Sequence, residues 1–395
     1  FVFGEEMLAY NLGDEHPLSP VRRQLAVELM RAYGLLDHPD VHLVAPRPAT
    51  VEEIERVHAP AYVAAVRRLS AQPDLAVTWE AAQWGLGAGG DTPAFAGMHE
   101  AAAAICGASV TGAMEIWEGR ADQVFSAGGG LHHAFANRAA GFCIYNDCAV
   151  AIQAMLDAGA ERIAYVDVDV HHGDGVQAIF WNEPRVLTVS IHEYAPEIGF
   201  FPGTGSISER GGPDAPDSVV NLPLPPGTSD EGWLEAFRTA VPPIVRAFGP
   251  DVLVTQLGCD SHATDPLAHL ALTTAAYRVT AAVLHELAHE AAGGRWVATG
   301  GGGYQWARVV PRAWTIGFAE MAQASPPDEI PEPWIERAEF ESRGEVPATL
   351  SDPPARRSPA DEEAVAVGAA VLGERGGGGG RTADGRGATR PGGSG

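Results

Sequence analysis

The stretch IAYVDVDVHHGDG, residues 163–175, carries the pattern that decides the fold. Three valines alternate with Asp167, Asp169 and His171, so a β-strand here places the three polar side chains on one face. Burying two carboxylates side by side is costly unless a cation compensates their charge. The stretch therefore predicts a buried strand that runs into a cation-binding site.

Outward from this stretch, short apolar segments alternate with segments of helical character. Strands followed by helices are typical of an α/β fold with a mainly parallel central sheet and helices on both of its faces. The predicted strands lie near 123–126, 162–170, 185–191, 251–257 and 295–299. The predicted helices lie near 19–34, 50–70, 97–118, 144–158, 173–181, 229–248, 270–292 and 306–320.

Composition narrows the class of protein. The 395 residues have a formal net charge of −25, which argues against partners such as nucleic acid or an anionic membrane, because these need clustered Lys and Arg. The four cysteines show no CxxC spacing, which favours reduced thiols and a cytoplasmic location. No apolar run is long enough to span a bilayer.

The alternation of strands and helices ends near Ala324. We therefore expect a catalytic domain over residues 1–323 and a Pro/Gly-rich C-terminal extension over 324–395. The extension contains little that could build a core, and at least its glycine-rich end is expected to be disordered.

Each predicted strand end carries a reactive side chain, and open α/β sheets bind ligands beyond the carboxyl ends of their strands. Asp169, His171 and Asp260 together offer two carboxylate oxygens and one imidazole nitrogen. Three such ligands with an open position are typical of a catalytic zinc site. Any one of these residues alone could belong to an ordinary hydrogen-bond network, but the set favours a metal.

Two histidines and a tyrosine extend this site. His132 and His133 follow AGGG at a strand end and are candidates for general base and acid, with Asp167 and Asp174 available to orient them. Tyr304 follows four glycines at another strand end, where its hydroxyl could stabilise an oxyanion.

Six motifs together resemble the zinc-dependent histone deacetylase superfamily. They are LHHA at 131–134, GFCIYND at 141–147, DVDVHHGDG at 167–175, FFPGTG at 200–205, LGCDSH at 257–262 and GGGGY at 300–304. Within the superfamily, GLGAGGDTPAFAGM at 85–98 and GGGGYQWARVVPR at 300–312 are similar to the bacterial acetoin-utilisation (AcuC-type) deacetylases. The resemblance spans roughly residues 8 to 320.

The resemblance implies the arginase-deacetylase fold, with a sheet of about eight strands, and the removal of acetyl or other acyl groups from protein lysines. Asp169, His171 and Asp260 match the zinc ligands. The zinc ion and Tyr304 would polarise the acyl carbonyl, a histidine would activate the attacking water, and a protonated histidine would supply a proton to the leaving amine. The sequence leaves open which histidine does which, and this ligand set also accepts Fe²⁺.

The resemblance also assigns substrate and cation sites. Phe142 and Phe201 match the aromatic walls of an acyl-lysine channel, Leu267 matches a further wall, and Gly141 is a further substrate-binding residue. Asp91 matches the rim residue that holds the substrate backbone. A structural K⁺ site is implied at Asp167 and the backbone of four residues: Asp169, His171, Ser190 and Ile191.

Other substrates for the same chemistry, and functions without this chemistry, are alternatives to protein lysine deacylation. The expected partner is an acetylated protein lysine, possibly on an acyl-CoA synthetase, and acetylpolyamine hydrolysis is the alternative activity. A ureohydrolase with two manganese ions would need additional aspartates, which the motifs lack. A non-catalytic acetyl-lysine reader would be expected to lack a ligand or Tyr304, and both are present.

Overall fold

The computed structural model describes residues 1–376 of the chain. These residues form one six-stranded sheet in which every pairing is parallel, in the order β1-β6-β5-β2-β3-β4. The predicted α/β fold with a mostly parallel central sheet is therefore confirmed. The strands are β1 (Gln123–Ser126), β2 (Ile163–Asp167), β3 (Val186–Glu193), β4 (Val219–Leu224), β5 (Val252–Gln256) and β6 (Trp296–Thr299).

Helices cover both faces of the sheet and bury one large apolar cluster on each face. The first cluster takes residues from α1, α8, α9, α10 and α12, and the second takes residues from α3, α5 and α6. The helices are α1 (Val21–Ala32), α2 (Val51–Glu55), α3 (Pro60–Ala71), α4 (Trp79–Gln83), α5 (Met98–Trp117), α6 (Asp147–Asp157), α7 (Asp174–Ile179), α8 (Asp230–Phe248), α9 (Thr274–Ala292), α10 (Val310–Met321), α11 (Glu332–Ser342) and α12 (Asp361–Gly376).

Strand β2 shows the alternation expected from its sequence. Ala164 and Val166 belong to the first apolar cluster, and Ile163 and Tyr165 belong to the second. The strand ends at Asp167, but the next two valines continue into the first cluster, so the polar side chains between them face the opposite side. The alternation in 163–171 therefore correctly predicted which side chains face the first cluster, even for the residues after the end of β2.

The strand order explains where a ligand can bind. From β2 the chain proceeds to β3 and β4 on one side, and then returns to place β5 on the other side of β2. Neighbouring strands whose connections leave in opposite directions open a crevice at their carboxyl ends. Asp169 and His171 follow β2, and Asp260 follows β5, so all three lie at this crevice.

Three details differ from the expectations. The described residues contain six strands rather than about eight, and β4 was missed because Pro223 argues against a strand interior. Proline is tolerated here because β4 is an edge strand, whose outer N–H groups have no ladder partner. The helix predicted over 50–70 is broken into α2 and α3, since α3 begins with Pro60, which cannot continue a preceding helix.

The segment after Ala324 contributes more to the core than its composition suggests. Trp334 and Leu350 are buried with residues of α1 and α10, and Ala364 and Val371 of α12 are buried in the first apolar cluster. The expectation that this region contains little that could build a core is wrong for residues 330–371. The glycine-rich end, which was expected to be disordered, lies outside the described residues.

The four cysteines are buried and form no disulfide. Within residues 1–376, no helix combines the length and the hydropathy that a membrane span requires.

Candidate active site

The loop between β1 and the two histidines is held by a buried carboxylate. Asp147, at the start of α6, accepts hydrogen bonds from the backbone N–H groups of Gly130 (3.1 Å) and Leu131 (2.7 Å). These bonds fix the residues immediately before His132. Asp147 lies in the GFCIYND motif, but the sequence analysis gave it no role.

His132 and His133 are both buried, and each is oriented by the aspartate predicted for it. Nδ1 of His132 is 2.7 Å from Oδ2 of Asp167, and Nδ1 of His133 is 2.7 Å from Oδ1 of Asp174. An ionised carboxylate only accepts hydrogen bonds, so both Nδ1 atoms carry hydrogen. Tyr165 also donates its hydroxyl to Asp167, at 2.7 Å.

The two Nε2 atoms of this histidine pair are 3.0 Å apart. A hydrogen bond at this distance requires a proton on one Nε2, so one ring is an imidazolium and the other is neutral. Burial lowers the pKa of His132, but the carboxylates of Asp167 and Asp169 outweigh it and raise the pKa to about 9. Burial and the neighbouring charge of His132 lower the pKa of His133 to about 4. In the metal-free chain His132 is therefore the charged ring.

Asp169, His171 and Asp260 offer three ligand atoms that lie within 4.8 Å of one another, and all three residues are buried. Nδ1 of His171 is 3.2 Å from Oδ1 of Asp169 and 3.1 Å from Oδ2 of Asp260. The predicted group is therefore assembled, and it could hold a metal ion. A Cβ at Gly302 would overlap the carboxylate of Asp260, so this close approach requires glycine.

Backbone and amide donors hold the other oxygens of these carboxylates. Oδ2 of Asp169 accepts hydrogen bonds from the Gln256 side chain (2.6 Å) and the Gly302 N–H (2.7 Å), and Oδ1 of Asp260 accepts one from Val170 N–H (2.9 Å). Each carboxylate is thus fixed with one oxygen facing His171. The sequence analysis missed Gln256, although its position at the end of β5 was a signal.

The charges of this group fit a cation. Burial lowers the pKa of His171, but hydrogen bonds to Asp169 and Asp260 raise it to about 10. Burial and the charge of Asp169 raise the pKa of Asp260 to about 7. Without a metal, the two carboxylates therefore retain a proton on the His171 ring, which a divalent ion would replace.

Tyr304 is attached to the site through a buried carboxylate that the sequence analysis did not single out. Oδ2 of Asp265 accepts the backbone N–H of Tyr304 at 2.8 Å, and its Oδ1 accepts that of Leu267 at 3.0 Å. Arg22 donates to the carbonyl of Gly303, at 3.1 Å, on the other side of the same loop. Burial, followed by the charges of nearby aspartates, raises the pKa of Tyr304 well above its usual range, so its hydroxyl keeps its proton.

The two predicted aromatic walls lie against different parts of the site. Phe142 meets Tyr304 edge to face, with ring centroids 5.7 Å apart, and Phe201 meets His133 in the same way at 4.9 Å. Phe201 is 40% exposed, so it lies at the surface opening. A core position for this phenylalanine is therefore excluded.

The predicted rim residue, Asp91, contacts the backbone beside Phe142. Asp91 is exposed and accepts the N–H of Gly141 at 3.0 Å and the hydroxyl of Thr92 at 2.9 Å. The bond to Gly141 fixes the backbone immediately before Phe142. His16 completes the rim from a loop that the sequence analysis did not consider, with its ring 4.5 Å from that of Phe142.

The loop that carries Phe201 is held by the carboxylate of Glu209. Glu209 accepts the N–H groups of Gly205 (2.9 Å) and Ser206 (3.0 Å), and also a hydrogen bond from the Gln177 side chain (2.6 Å). The sequence analysis missed Glu209, because no local pattern distinguishes it from a surface carboxylate.

The residues of the predicted monovalent-cation site come from the paired strands β2 and β3 and from the segment that follows β2. Asp167 and Ser190 are register partners in β2 and β3, and Ile191 follows in β3. Oδ1 of Asp167 accepts the N–H of Asp169 at 3.1 Å. Asp167, Asp169, Ser190 and Ile191 therefore lie close together, and the K⁺ site itself stays a prediction.

Comparisons with known proteins agree with this site. The family profile described as "Histone deacetylase domain" matches residues 16–321. The chain is 42% identical over 353 residues to "Acetoin utilization protein AcuC" of Bacillus subtilis (strain 168), covering 89% of each chain. Proteins of the same name from Staphylococcus xylosus and Staphylococcus aureus (strain MRSA252) are 35% and 36% identical, covering 89% of this chain and 90% and 89% of theirs. The chain therefore belongs to the histone deacetylase family, of the AcuC type, and is a hydrolase of the deacetylase class.

Proposed function

We propose that this protein is a zinc-dependent lysine deacylase, which hydrolyses the amide of acetylated or otherwise acylated lysine side chains in proteins. The observation that carries the proposal is the buried Asp169–His171–Asp260 group beside a hydrogen-bonded histidine pair. Two carboxylate oxygens and an imidazole nitrogen suit Zn²⁺ and also Fe²⁺. When bound, such an ion supplies Lewis-acid polarisation of a carbonyl oxygen.

Phe142 and Phe201 bind the substrate in this proposal. An apolar four-carbon lysine stem fits between two phenyl rings in shape and polarity. Leu267 adds a further apolar wall. Asp91 accepts the backbone N–H of the substrate at the rim, while Gly141 keeps that carboxylate in place.

The histidine pair moves the protons. We assign the general base to His133, because its lowered pKa keeps the ring neutral, and its Nε2, which carries no hydrogen and accepts the bond from His132, is the atom that can take a proton from water. Asp174 stabilises the imidazolium that results, and His133 then returns the proton to the leaving amine. His132, held by Asp167, assists by stabilising the negative charge that develops on the carbonyl oxygen.

Tyr304 donates its hydroxyl to the same oxygen, which is consistent with its raised pKa. Exchanging Tyr304 for phenylalanine should lower turnover by about 10²–10³, the usual scale for one oxyanion donor. Metal content should be unchanged, since the tyrosine is not a ligand. Tyr33→Phe is the control, because it removes a hydroxyl that donates to the carbonyl of Glu329, far from the site.

A substrate panel tests the proposal directly. The purified protein is assayed against acetyl-lysine peptides, longer acyl-lysine peptides and acetylated polyamines, with metal content measured in parallel. We expect the peptides to be preferred, and Asp260→Ala to lose both metal and activity. A preference for acetylpolyamines would replace the proposed substrate with the alternative activity, and an active metal-free protein would refute the mechanism.

Three further statements belong to this proposal. The substrate is an acylated protein, possibly an acyl-CoA synthetase as the AcuC-type resemblance implies, and nucleic acid and membranes are not partners. A structural K⁺ ion binds at Asp167 with the backbone carbonyls of Asp169, His171, Ser190 and Ile191. The protein acts in the cytoplasm.

A further inference from the structure

Two histidines lie one helical turn apart on α9, at the edge of the sheet opposite to the candidate active site. His285 and His289 belong to the stretch HELAHE at 285–290. Residues four apart share one face of a helix, and here the two Nε2 atoms are 3.1 Å apart. Two nitrogen ligands of one tetrahedral zinc ion, each about 2.0–2.1 Å from it, lie about 3.4 Å apart. The observed spacing is close to this value.

The surroundings orient one ring of this pair. Nδ1 of His285 is 3.4 Å from the Glu320 carboxylate of α10, and the ring packs near Trp296 in the protein interior. Metal-binding histidines usually donate their second ring N–H to a carboxylate in this way. The contact directs the Nε2 lone pair of His285 toward His289.

A third ligand faces the pair. Gln123, the first residue of β1, has its side-chain amide nitrogen 3.4 Å from Nε2 of His289. Its amide oxygen is buried and has no hydrogen-bond partner among the described residues, which is rare for a buried polar atom. The two ends of an amide are exchanged by a half turn, which would direct this oxygen to His289.

One histidine of the pair is accessible from solvent, while His285 is buried. His289 is exposed and lines a surface cavity of about 800 Å³, together with Asp122. This cavity has room for an incoming ion and for water molecules as additional ligands.

We propose that His285, His289 and the amide oxygen of Gln123 bind a second divalent transition-metal ion, such as Zn²⁺ or Ni²⁺, with water in the remaining positions. Two imidazole nitrogens and an amide oxygen suit these ions rather than Ca²⁺ or Mg²⁺. The ion ties α9 to β1, and Glu320 connects it to α10. It is separate from the catalytic group, because β1 and the loop after it lie between Gln123 and His132.

The stretch HELAH also matches the zinc metallopeptidase pattern, in which the glutamate is the general base. Glu286 does not line the cavity, and the neighbouring Leu287 and Ala288 are packed in the core. We therefore assign this site to metal binding without peptidase chemistry.

Calorimetric titration with Zn²⁺ tests the site on full-length protein whose catalytic site is already loaded with zinc. The wild type should bind one further ion, and its melting temperature should rise with added Zn²⁺. His289→Ala should lose the further ion and the thermal shift, and should keep the first ion and wild-type deacetylation. His289 is exposed, so this variant should fold even if changes at buried His285 do not.

Two companion variants complete the experiment. Gln123→Leu should weaken the second binding event, and Glu286→Gln on the same helix should leave it unchanged. The proposal is overturned if the wild type takes up no further ion. The contact between His285 and His289 would then be only a hydrogen bond between two imidazoles. It is also overturned if His289→Ala binds as many ions as the wild type does.

Discussion

Asp265→Asn should slow turnover without removing the metal. Asp265 is 8% exposed, and its two oxygens accept the backbone N–H groups of Tyr304 and Leu267 at 2.8 and 3.0 Å. Asparagine has the same shape but only one accepting oxygen, so its NH₂ group must face one of the two N–H donors. Either the Tyr304 or the Leu267 N–H then loses its hydrogen bond, and the Tyr304 loop is held less firmly.

The magnitude follows from the cost of one unsatisfied buried N–H group, which is about 1–3 kcal/mol. If the transition state loses a comparable amount of stabilisation because the Tyr304 hydroxyl is misplaced, turnover falls by about 5- to 150-fold, at about 1.4 kcal/mol per factor of ten. KM should change less, because the hydroxyl acts mainly on the developing oxyanion.

Steady-state kinetics on an acetyl-lysine peptide measure this effect, with zinc content determined on the same samples. Asp230→Asn is the matched control, because Asp230 is also 8% exposed and accepts the backbone N–H groups of Thr273 and Ala355. That variant should lose stability without a selective loss of kcat.

A double-mutant cycle with Tyr304→Phe separates positioning from a general structural defect. If Asp265 acts through Tyr304, Asp265→Asn should change kcat much less once the hydroxyl is absent. The same fractional loss in both backgrounds, or wild-type kcat in Asp265→Asn, would refute the reasoning.

Three other predictions concern stability. Asp361→Ala should lower the free energy of unfolding, measured by urea denaturation, by about 2–4 kcal/mol. Asp361 is 1% exposed and accepts three hydrogen bonds, two of them from Ser229 at the start of α8. An unchanged urea midpoint would mean that α12 is dispensable for stability. Burial lowers the pKa of His58 from 6.5 to about 4. Because the unfolded chain therefore binds a proton more readily than the folded chain, the free energy of unfolding should fall by up to about 3 kcal/mol as the pH drops from 6.5 to 4. His58→Gln should lack that component of the pH dependence, and an identical pH slope in both proteins would contradict the assignment. Chelation should lower the melting temperature of His289→Ala, which lacks the second site, but leave that of the double variant His289→Ala/Asp260→Ala unchanged, since only the first of these proteins has metal to lose.

Much of the site was predictable from sequence because it depends on positions close together in the chain. The alternation in 163–171 placed Asp167, Asp169 and His171 on one face, and the contacts of their neighbours with the two apolar clusters confirm it. Polar residues at the ends of parallel strands converge on one edge of the sheet. For this reason Asp260, which follows β5, joins Asp169 and His171 without any local signal that pairs them.

The residues that support this site were not predictable in the same way. Gln256, Asp265 and Glu209 are ordinary polar residues in the sequence, and their roles depend on which backbone N–H groups lie opposite them after folding. Hydrogen-bond partners of this kind are set by loop conformation, for which the sequence has no period.

The sequence by itself determined the α/β class, the parallel sheet and the polar side chains at its carboxyl edge, since hydrophobic periodicity is local and repeats along each element. Only the tertiary structure decided that β4 includes Pro223 at the sheet edge and that α12 packs on the domain. Asp361 accepts hydrogen bonds from Ser229, 132 residues earlier in the chain, and Ala364 and Val371 of α12 are buried in the first apolar cluster. The composition of such a segment resembles a solvated tail, and it becomes part of the fold because distant residues provide the surface that buries it.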